Sequence, residues 1–198
     1  LLNHIVELVE ECKHMGTIPF SIIARHAFIA EKLLRSAAEK NIIRPERLVA
    51  FKQSLTTIMS KMTLDLEATQ NGELTESEFL ETYGHLRPGT YDILSLRYDQ
   101  RNDLFSKATS FENSQKHTSF AWTSEEYSNL SQALLEIGFS KTTPDQLLTY
   151  IQTAIVGREH AKFIFSKSLS DALELIAEWG GDLGLSRDDL SYIPLDLI

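Results

Sequence analysis

The sequence predicts an all-α fold, an irregular multi-helix bundle with one long loop at about 84–121 that we expect to be functional. Apolar residues recur at spacings of three and four along most of the 198-residue chain, and this is the period of an amphipathic helix. Helix-capping motifs mark several of the predicted starts. Over 84–121 the helical period is lost, and no alternation typical of strands replaces it.

The first part of the chain predicts a succession of amphipathic helices. One covers 1–15 and ends at Gly16, and the next covers about 19–41. A further helix begins at a proline and carries a single apolar stripe over 45–66 before Gly72 stops it. Proline favours the first turn of a helix and glycine favours its end, so the punctuation agrees with the periodicity.

Later helix starts carry capping boxes, in which a hydroxyl residue precedes an acid or amide by three positions. Thr75, Thr123, Thr143 and Ser186 have this spacing. The helix that starts after Thr143 is predicted over 144–179, with a potential break at Gly157. The intervening loop is predicted to hold one short helix near Leu104.

Composition excludes several classes of protein. Lys plus Arg number 19 against 28 Asp plus Glu, which gives a net charge of -9. This acidic balance argues against a protein that coats nucleic acid or an anionic membrane. Cys12 is the only cysteine, so an intramolecular disulfide and a thiolate zinc site are excluded. We expect a cytoplasmic protein without a membrane span. We also expect 1–198 to be a single helical domain and a fragment of a larger multidomain protein.

The sequence contains no phosphate-binding glycine loop, no H-E-x-x-H and no G-x-S-x-G, and its six histidines lack metal-ligand spacing. Neither catalytic residues nor a metal site are therefore predicted here. The densest polar tract joins His85, Arg87 and Arg97 with Asp92. Arginine offers a planar fork to phosphate or carboxylate, so the tract is a candidate anion site. The alternative is a loop held by internal pairs between these arginines and Asp92.

A second basic region lies on the predicted helix over 19–41. Arg25, Lys32 and Arg35 share one face, which predicts either a solvated surface or one wall of a polyanion cleft that also contains Arg87. His26 falls on an apolar stripe, a pattern typical of a buried, hydrogen-bonded core histidine.

The tract over 79–98, with its sequences FLETYGH and RPGTYD, resembles phosphoenolpyruvate synthase-like proteins, which are related to pyruvate phosphate dikinase and rifampicin phosphotransferase. Residues 19–36 and 158–192 resemble the same region, which lies between the ATP-grasp domain and the swivelling phosphohistidine domain. The resemblance implies an intermediate helical domain, on the substrate side or for docking, in an ATP-dependent phosphotransferase whose phosphohistidine carrier lies outside this chain.

The resemblance also implies partners and site residues. ATP and Mg are implied for the parent protein but not for this chain, and the partners would be the ATP-grasp and phosphohistidine domains and a small-molecule acceptor. The implied acceptor-binding residues are Tyr83, His85, Arg87, Arg97, Arg25 and His26. A non-catalytic helical spacer or protein-interaction module is the alternative that the sequence leaves open.

Overall fold

The structure is a computed structural model that describes residues 1–106 and 119–194. Within those ranges the chain is all-α and contains no strand, which confirms the predicted fold class. The helices are α1 Leu2–Glu11, α2 Ile18–Glu39, α3 Pro45–Ser54, α4 Ile58–Gln70, α5 Glu76–Tyr83, α6 Ser124–Glu136, α7 Pro144–Asp182 and α8 Arg187–Ser191. Among these residues no helix is long and apolar enough to cross a bilayer.

The chain divides into two compact units. The first unit comprises Leu1–Pro19, Lys61–Asn113 and Ala161–Ile198, and the second comprises Phe20–Ser60 and Ser114–His160. Each is built from segments that are distant in sequence, so each core depends on long-range packing rather than on one local hairpin.

The core of the second unit forms where the alanine-containing face of α2 packs against α3 and the first half of α7. Ala30 and Leu34 of α2 pack with Phe51 of α3 and with Ile151 of α7, and all four are at most 3% exposed. Alanine at the contact allows helices to approach closely, and the large side chains fill the space between them. Phe120 closes one side of this core through an edge-to-face contact with Phe51.

The first unit has an aliphatic cluster and an aromatic cluster. Ile5, Ile176 and Leu190 join residues of α1, α7 and α8 in the aliphatic cluster. The aromatic cluster contains Phe79 and Tyr83, whose ring centroids lie 4.8 Å apart. Both are at most 1% exposed. Their burial fixes the position of α5 and therefore of the first residues of the loop that follows it.

The four helix starts predicted from capping motifs are confirmed. Thr75, Thr123 and Ser186 each accept from the backbone N–H three residues on, and the side chain at that third position reciprocates. Thr143 exchanges the same pair of hydrogen bonds with Gln146. These signals succeed because a capping box is a purely local interaction.

Some predicted boundaries are wrong. Gly16 does not end a helix, because α1 continues through a π-helical segment, Cys12–Thr17, directly into α2. The stripe over 45–66 is interrupted at 55–57, where Thr57 and Ser60 cap the start of α4. Helix α7 passes through Gly157 without a break.

The long loop has a short 3₁₀ turn at Tyr98–Gln100. The predicted short helix near Leu104 is instead a hydrogen-bonded turn over 102–105. Within 84–106 the loop is held by side-chain hydrogen bonds to α7 and α8. Residues 107–118 of the predicted loop lie outside the described residues.

Candidate functional site

The last turn of α5 positions the tract through Tyr83. Its side chain is buried in the aromatic cluster, and its hydroxyl donates to Oδ2 of Asp65 over 2.6 Å. Burial and the neighbouring carboxylate both raise the pKa of the Tyr83 hydroxyl, so the phenol stays protonated. Tyr83 therefore fixes α5 to α4, and its polar atom is already committed to a protein acceptor.

His85 is packed beneath the tract. It is 6% exposed, its ring lies 5.0 Å from that of Phe163, and its Nε2 is 3.3 Å from the Phe163 carbonyl oxygen. A carbonyl only accepts, so Nε2 carries the proton in this hydrogen bond. Burial lowers the pKa of His85, and the charges of Arg97 and Lys167 act in the same direction. The imidazole is therefore neutral at pH 7.

Arg87 is the most completely enclosed cation of the tract, with a side chain 1% exposed. All three of its guanidinium nitrogens donate to protein acceptors. Nε and Nη2 both bind Oγ of Ser170, at 3.2 and 3.0 Å. Nη1 binds the carbonyl oxygens of Asp92 and Ser95, and Nη2 also reaches the Ser170 carbonyl oxygen and Oε1 of Glu174.

Glu174 is the hub of this arrangement. Its Oε1 accepts from Arg87 at 2.9 Å, and its Oε2 accepts from Gln100 and from Nη2 of Arg187, both at 2.6 Å. Burial raises the pKa of Glu174, but the hydrogen bonds from Arg187, Gln100 and Arg87 outweigh it, so the pKa lies below its ordinary value. A single carboxylate on α7 thus joins the tract to Arg187 at the start of α8. Arg187 also contacts the loop directly, because it donates to the Ile93 carbonyl oxygen.

Arg97 makes a second connection to α7. Its Nη1 donates to Oδ1 of Asp171 at 2.6 Å, while Nε and Nη2 form a fork with both carboxylate oxygens of Asp99. The side chain of Arg97 is 15% exposed and that of Asp171 is 34% exposed. This pair is therefore more solvated than the contact between Arg87 and Glu174.

The charges in this arginine–carboxylate cluster are balanced. Its cations are the guanidinium groups of Arg87, Arg97 and Arg187, and its anions are the carboxylates of Asp99, Asp171 and Glu174. A balanced cluster whose donors bind protein acceptors has little left with which to hold a phosphate. The geometry favours the alternative in which the loop is held by internal contacts. The predicted carboxylate partner is different, however, since Asp92 contributes its carbonyl oxygen and its Oδ1 accepts from Leu94 N–H.

The two remaining predicted residues belong to the other compact unit. Arg25 is exposed on α2 and has no hydrogen bond or ion pair with the described residues. His26 is also exposed, which overturns the expectation of a buried core histidine. The stripe that carries it, with Ile22 and Ile29 both at least 50% exposed, faces away from the core. The Nδ1 of His26 lies 3.1 Å from the hydroxyl of Tyr150.

The sequence did not reveal the partners of the cluster. Ser170, Asp171 and Glu174 lie within about one turn of α7, more than 70 residues after Arg87 and Arg97, which they bind. One available signal was the spacing of four between Ser170 and Glu174, because it places two polar groups on one face of α7.

A shallow concavity of about 420 Å³ borders the tract, and Pro88, Gln100 and Arg101 are among its lining residues. Tyr83, His85, Arg87 and Arg97 do not line it. Arg101 is paired with Asp103 at 2.6 Å. Across residues 1–106 and 119–194, no group of three or more His, Cys, Asp or Glu side chains is arranged to hold a metal ion.

Comparison of the chain with protein-family models, with curated proteins and with solved structures finds no match.

Proposed function

We propose that this chain is a non-catalytic helical module, a spacer or interaction domain whose arginine tract serves stability. The observation that supports the proposal is the state of Arg87, which is buried and donates from all three guanidinium nitrogens to protein acceptors. To bind an acceptor molecule, it would have to leave Ser170 and Glu174. Breaking a buried ion pair costs about 3–5 kcal/mol, more than a weak contact with a small anion returns.

A second candidate is the substrate-side domain of a phosphoenolpyruvate synthase-like phosphotransferase, as the resemblance of the tract implies. The observation that favours it is Arg25, an exposed guanidinium without a partner among the described residues. In that case α2 rather than the buried tract would supply the cation for an anionic acceptor. The phosphohistidine carrier and the ATP site would be on other domains. Under both candidates we place the protein in the cytoplasm, because the free, buried thiol of Cys12 fits a reducing compartment.

Thermal unfolding in sodium phosphate and in sodium chloride at equal ionic strength separates the two candidates. A ligand that binds only the folded state raises its melting temperature. Phosphate at high concentration also stabilises folded proteins by exclusion from their surface, so the comparison is made at millimolar phosphate. There the helical-module proposal predicts the same melting temperature in both salts for the native chain. It also predicts that Arg87→Gln lowers that temperature equally in both, by about 6–12 °C for a loss of ~3 kcal/mol in a chain of this size.

Arg25→Gln is the matched control, since it removes an exposed arginine without breaking a described contact. Its melting temperature should equal that of the native chain in both salts. If phosphate stabilises the native chain and Arg25→Gln abolishes that effect, the second candidate replaces the first. If Arg87→Gln abolishes the effect while the fold is kept, the structural interpretation of the tract is wrong.

A further inference from the structure

The second compact unit contains a groove of about 580 Å³ whose lining includes no residue of the arginine–carboxylate cluster. Its walls come from the end of α2, from α6 and from the start of α7. Leu34, Leu130, Leu134 and Ile151 form an apolar floor, and each of the four is less than 9% exposed. A mostly apolar concavity of ~300–1,000 Å³ with a few convergent polar groups is typical of a small-molecule site.

One end of the groove is shaped by the C-terminus of α2. Asn41 adopts a left-handed conformation, with φ of 57°, and the N–H of Ile42 donates to the carbonyl oxygen of Ala37 at 2.8 Å. This is a Schellman ending, in which asparagine tolerates the left-handed position. The chain therefore turns back over the helix, so that Ile42 joins the apolar lining while Lys40 and Asn41 line the same end.

Lys40 is the cation of this rim. Its side chain is exposed and has no hydrogen bond or ion pair with the described residues. On the α6 side the acidic lining residue is Glu136, whose Oε1 accepts from Nε2 of Gln132 at 3.0 Å. The groove thus has an uncompensated cation at the α2 end and a hydrogen-bonded carboxylate on the α6 side.

We propose that this groove binds a small amphipathic anion, an aliphatic carboxylate whose tail lies on the apolar floor and whose head group pairs with Lys40. Burial of the tail supplies the affinity, at about fourfold for each buried methylene. The ammonium of Lys40 and the side-chain amide of Asn41 supply donors for the carboxylate. This binding site is independent of the role that we propose for the arginine tract.

The orientation of the ligand follows from the two charges. A carboxylate placed beside Glu136 would be repelled, whereas one placed beside Lys40 gains an ion pair. A cationic amphiphile could pair only with Glu136, whose Oε1 already accepts a hydrogen bond from Gln132, so it should bind more weakly. Comparing the affinities of an anionic and a cationic amphiphile therefore tests the predicted charge of the head group.

Trp122 lines the groove and provides a reporter. The chain has two tryptophans, and Trp179 belongs to the other unit, so Trp179→Phe leaves Trp122 as the sole indole. Dodecanoate is titrated below its micelle-forming concentration, with dodecyltrimethylammonium as the probe of opposite charge. Calorimetric titration of the native chain gives the same comparison without any substitution. We expect saturable binding of dodecanoate, a change in Trp122 emission, and weaker binding of the cationic probe.

Variants locate the site. Ala133→Phe places a ring in the groove and should abolish binding, and Ala37→Phe does so from α2 if the first variant fails to fold. Lys40→Gln should weaken dodecanoate binding about fivefold, the effect of one partly exposed ion pair. Lys32→Gln on the same helix is the matched control and should leave binding unchanged, because Lys32 does not line the groove.

Three results would overturn the proposal. The first is the absence of saturable dodecanoate binding to the native chain. The second is unchanged binding in a folded Ala133→Phe or Ala37→Phe variant. The third is binding of the cationic probe as tight as that of dodecanoate, which would contradict the anionic head group.

Discussion

Glu174 of α7 and Arg87 of the loop after α5 form a buried ion pair, with Nη2 and Oε1 2.9 Å apart. The two residues are 87 positions apart in the sequence. Because the same carboxylate also binds Arg187, this single contact joins the loop, α7 and α8 within the first unit. Removing one partner of a buried ion pair leaves an uncompensated charge, so this contact holds the backbone segments that it joins.

The first prediction concerns that ion pair. Glu174→Gln leaves the guanidinium groups of Arg87 and Arg187 without a counter-charge in a partly desolvated site. We expect it to lower the free energy of unfolding by about 3 kcal/mol, measured by denaturant titration. The control is Asp171→Asn, whose side chain is 34% exposed and should cost at most ~1 kcal/mol. Equal losses for the two variants would contradict the central position of Glu174.

The second prediction concerns pH. The pKa of His85 in the folded chain is lower than its ordinary value of 6.5, chiefly because of burial. The unfolded chain therefore binds the proton more readily, so folding stability is full above pH 6.5 and is lost as pH falls through the lower, folded pKa.

His85→Gln should remove part of this pH dependence. The measurement is the denaturant midpoint at successive pH values between neutrality and about pH 5, above the range in which ordinary carboxylates titrate. A variant whose stability falls with pH as steeply as that of the native chain would show that His85 is not the group responsible.

The third prediction concerns the second unit. Nε and Nη2 of Arg47 bind both carboxylate oxygens of Glu126 at 2.9 and 3.0 Å, and Glu126 also caps α6 by accepting from Thr123 N–H. Arg47→Gln should destabilise the chain by about 2 kcal/mol, because hydrogen bonds to charged groups are lost at a nearly buried carboxylate. Lys52→Gln on the same helix should change stability by less than ~0.5 kcal/mol. A similar loss in both would refute the assigned role of Arg47.

The fourth prediction uses two adjacent glycines near the end of α7. A Cβ added to Gly180 would lie 2.6 Å from Cδ1 of the buried Leu190, whereas one added to Gly181 meets nothing within 4 Å. Gly180→Ala should therefore destabilise the chain by about 1–3 kcal/mol through overpacking. Gly181→Ala should raise the melting temperature slightly, since alanine restricts the unfolded chain. Stabilisation by both substitutions would mean that α8 does not pack against α7 as described.

Contacts between residues close in sequence could be predicted, whereas contacts between distant residues could not. Thr75, Thr123, Thr143 and Ser186 were identified because each cap closes within three residues. Thr57 was missed because its partner is Ser60 rather than the acid or amide of a full capping box. Continuous apolar spacing across 55–57 then suggested one helix where there are two.

The candidate site was predicted only in part. The sequence shows the charged groups of the tract, but periodicity carries no information about which distant residue a charge will meet. The sequence offers Asp92 as a carboxylate partner for Arg87 or Arg97, whereas Arg87 pairs with Glu174. Arg97 pairs with Asp99 and Asp171. His26 was placed in the core because an apolar stripe was assumed to face inward, yet Ile29 on that stripe is 50% exposed.

Arginine side-chain NMR tests most directly whether the buried tract is structural. The Nε–Hε signals of Arg87 and Arg97 are followed in the native chain as inorganic phosphate is added into the millimolar range. We predict that both signals stay at their positions and exchange slowly with water, since their donors bind protein acceptors. A saturable shift of the Arg87 signal, with faster exchange of its proton, would show that phosphate displaces Ser170 and Glu174 and would contradict the account.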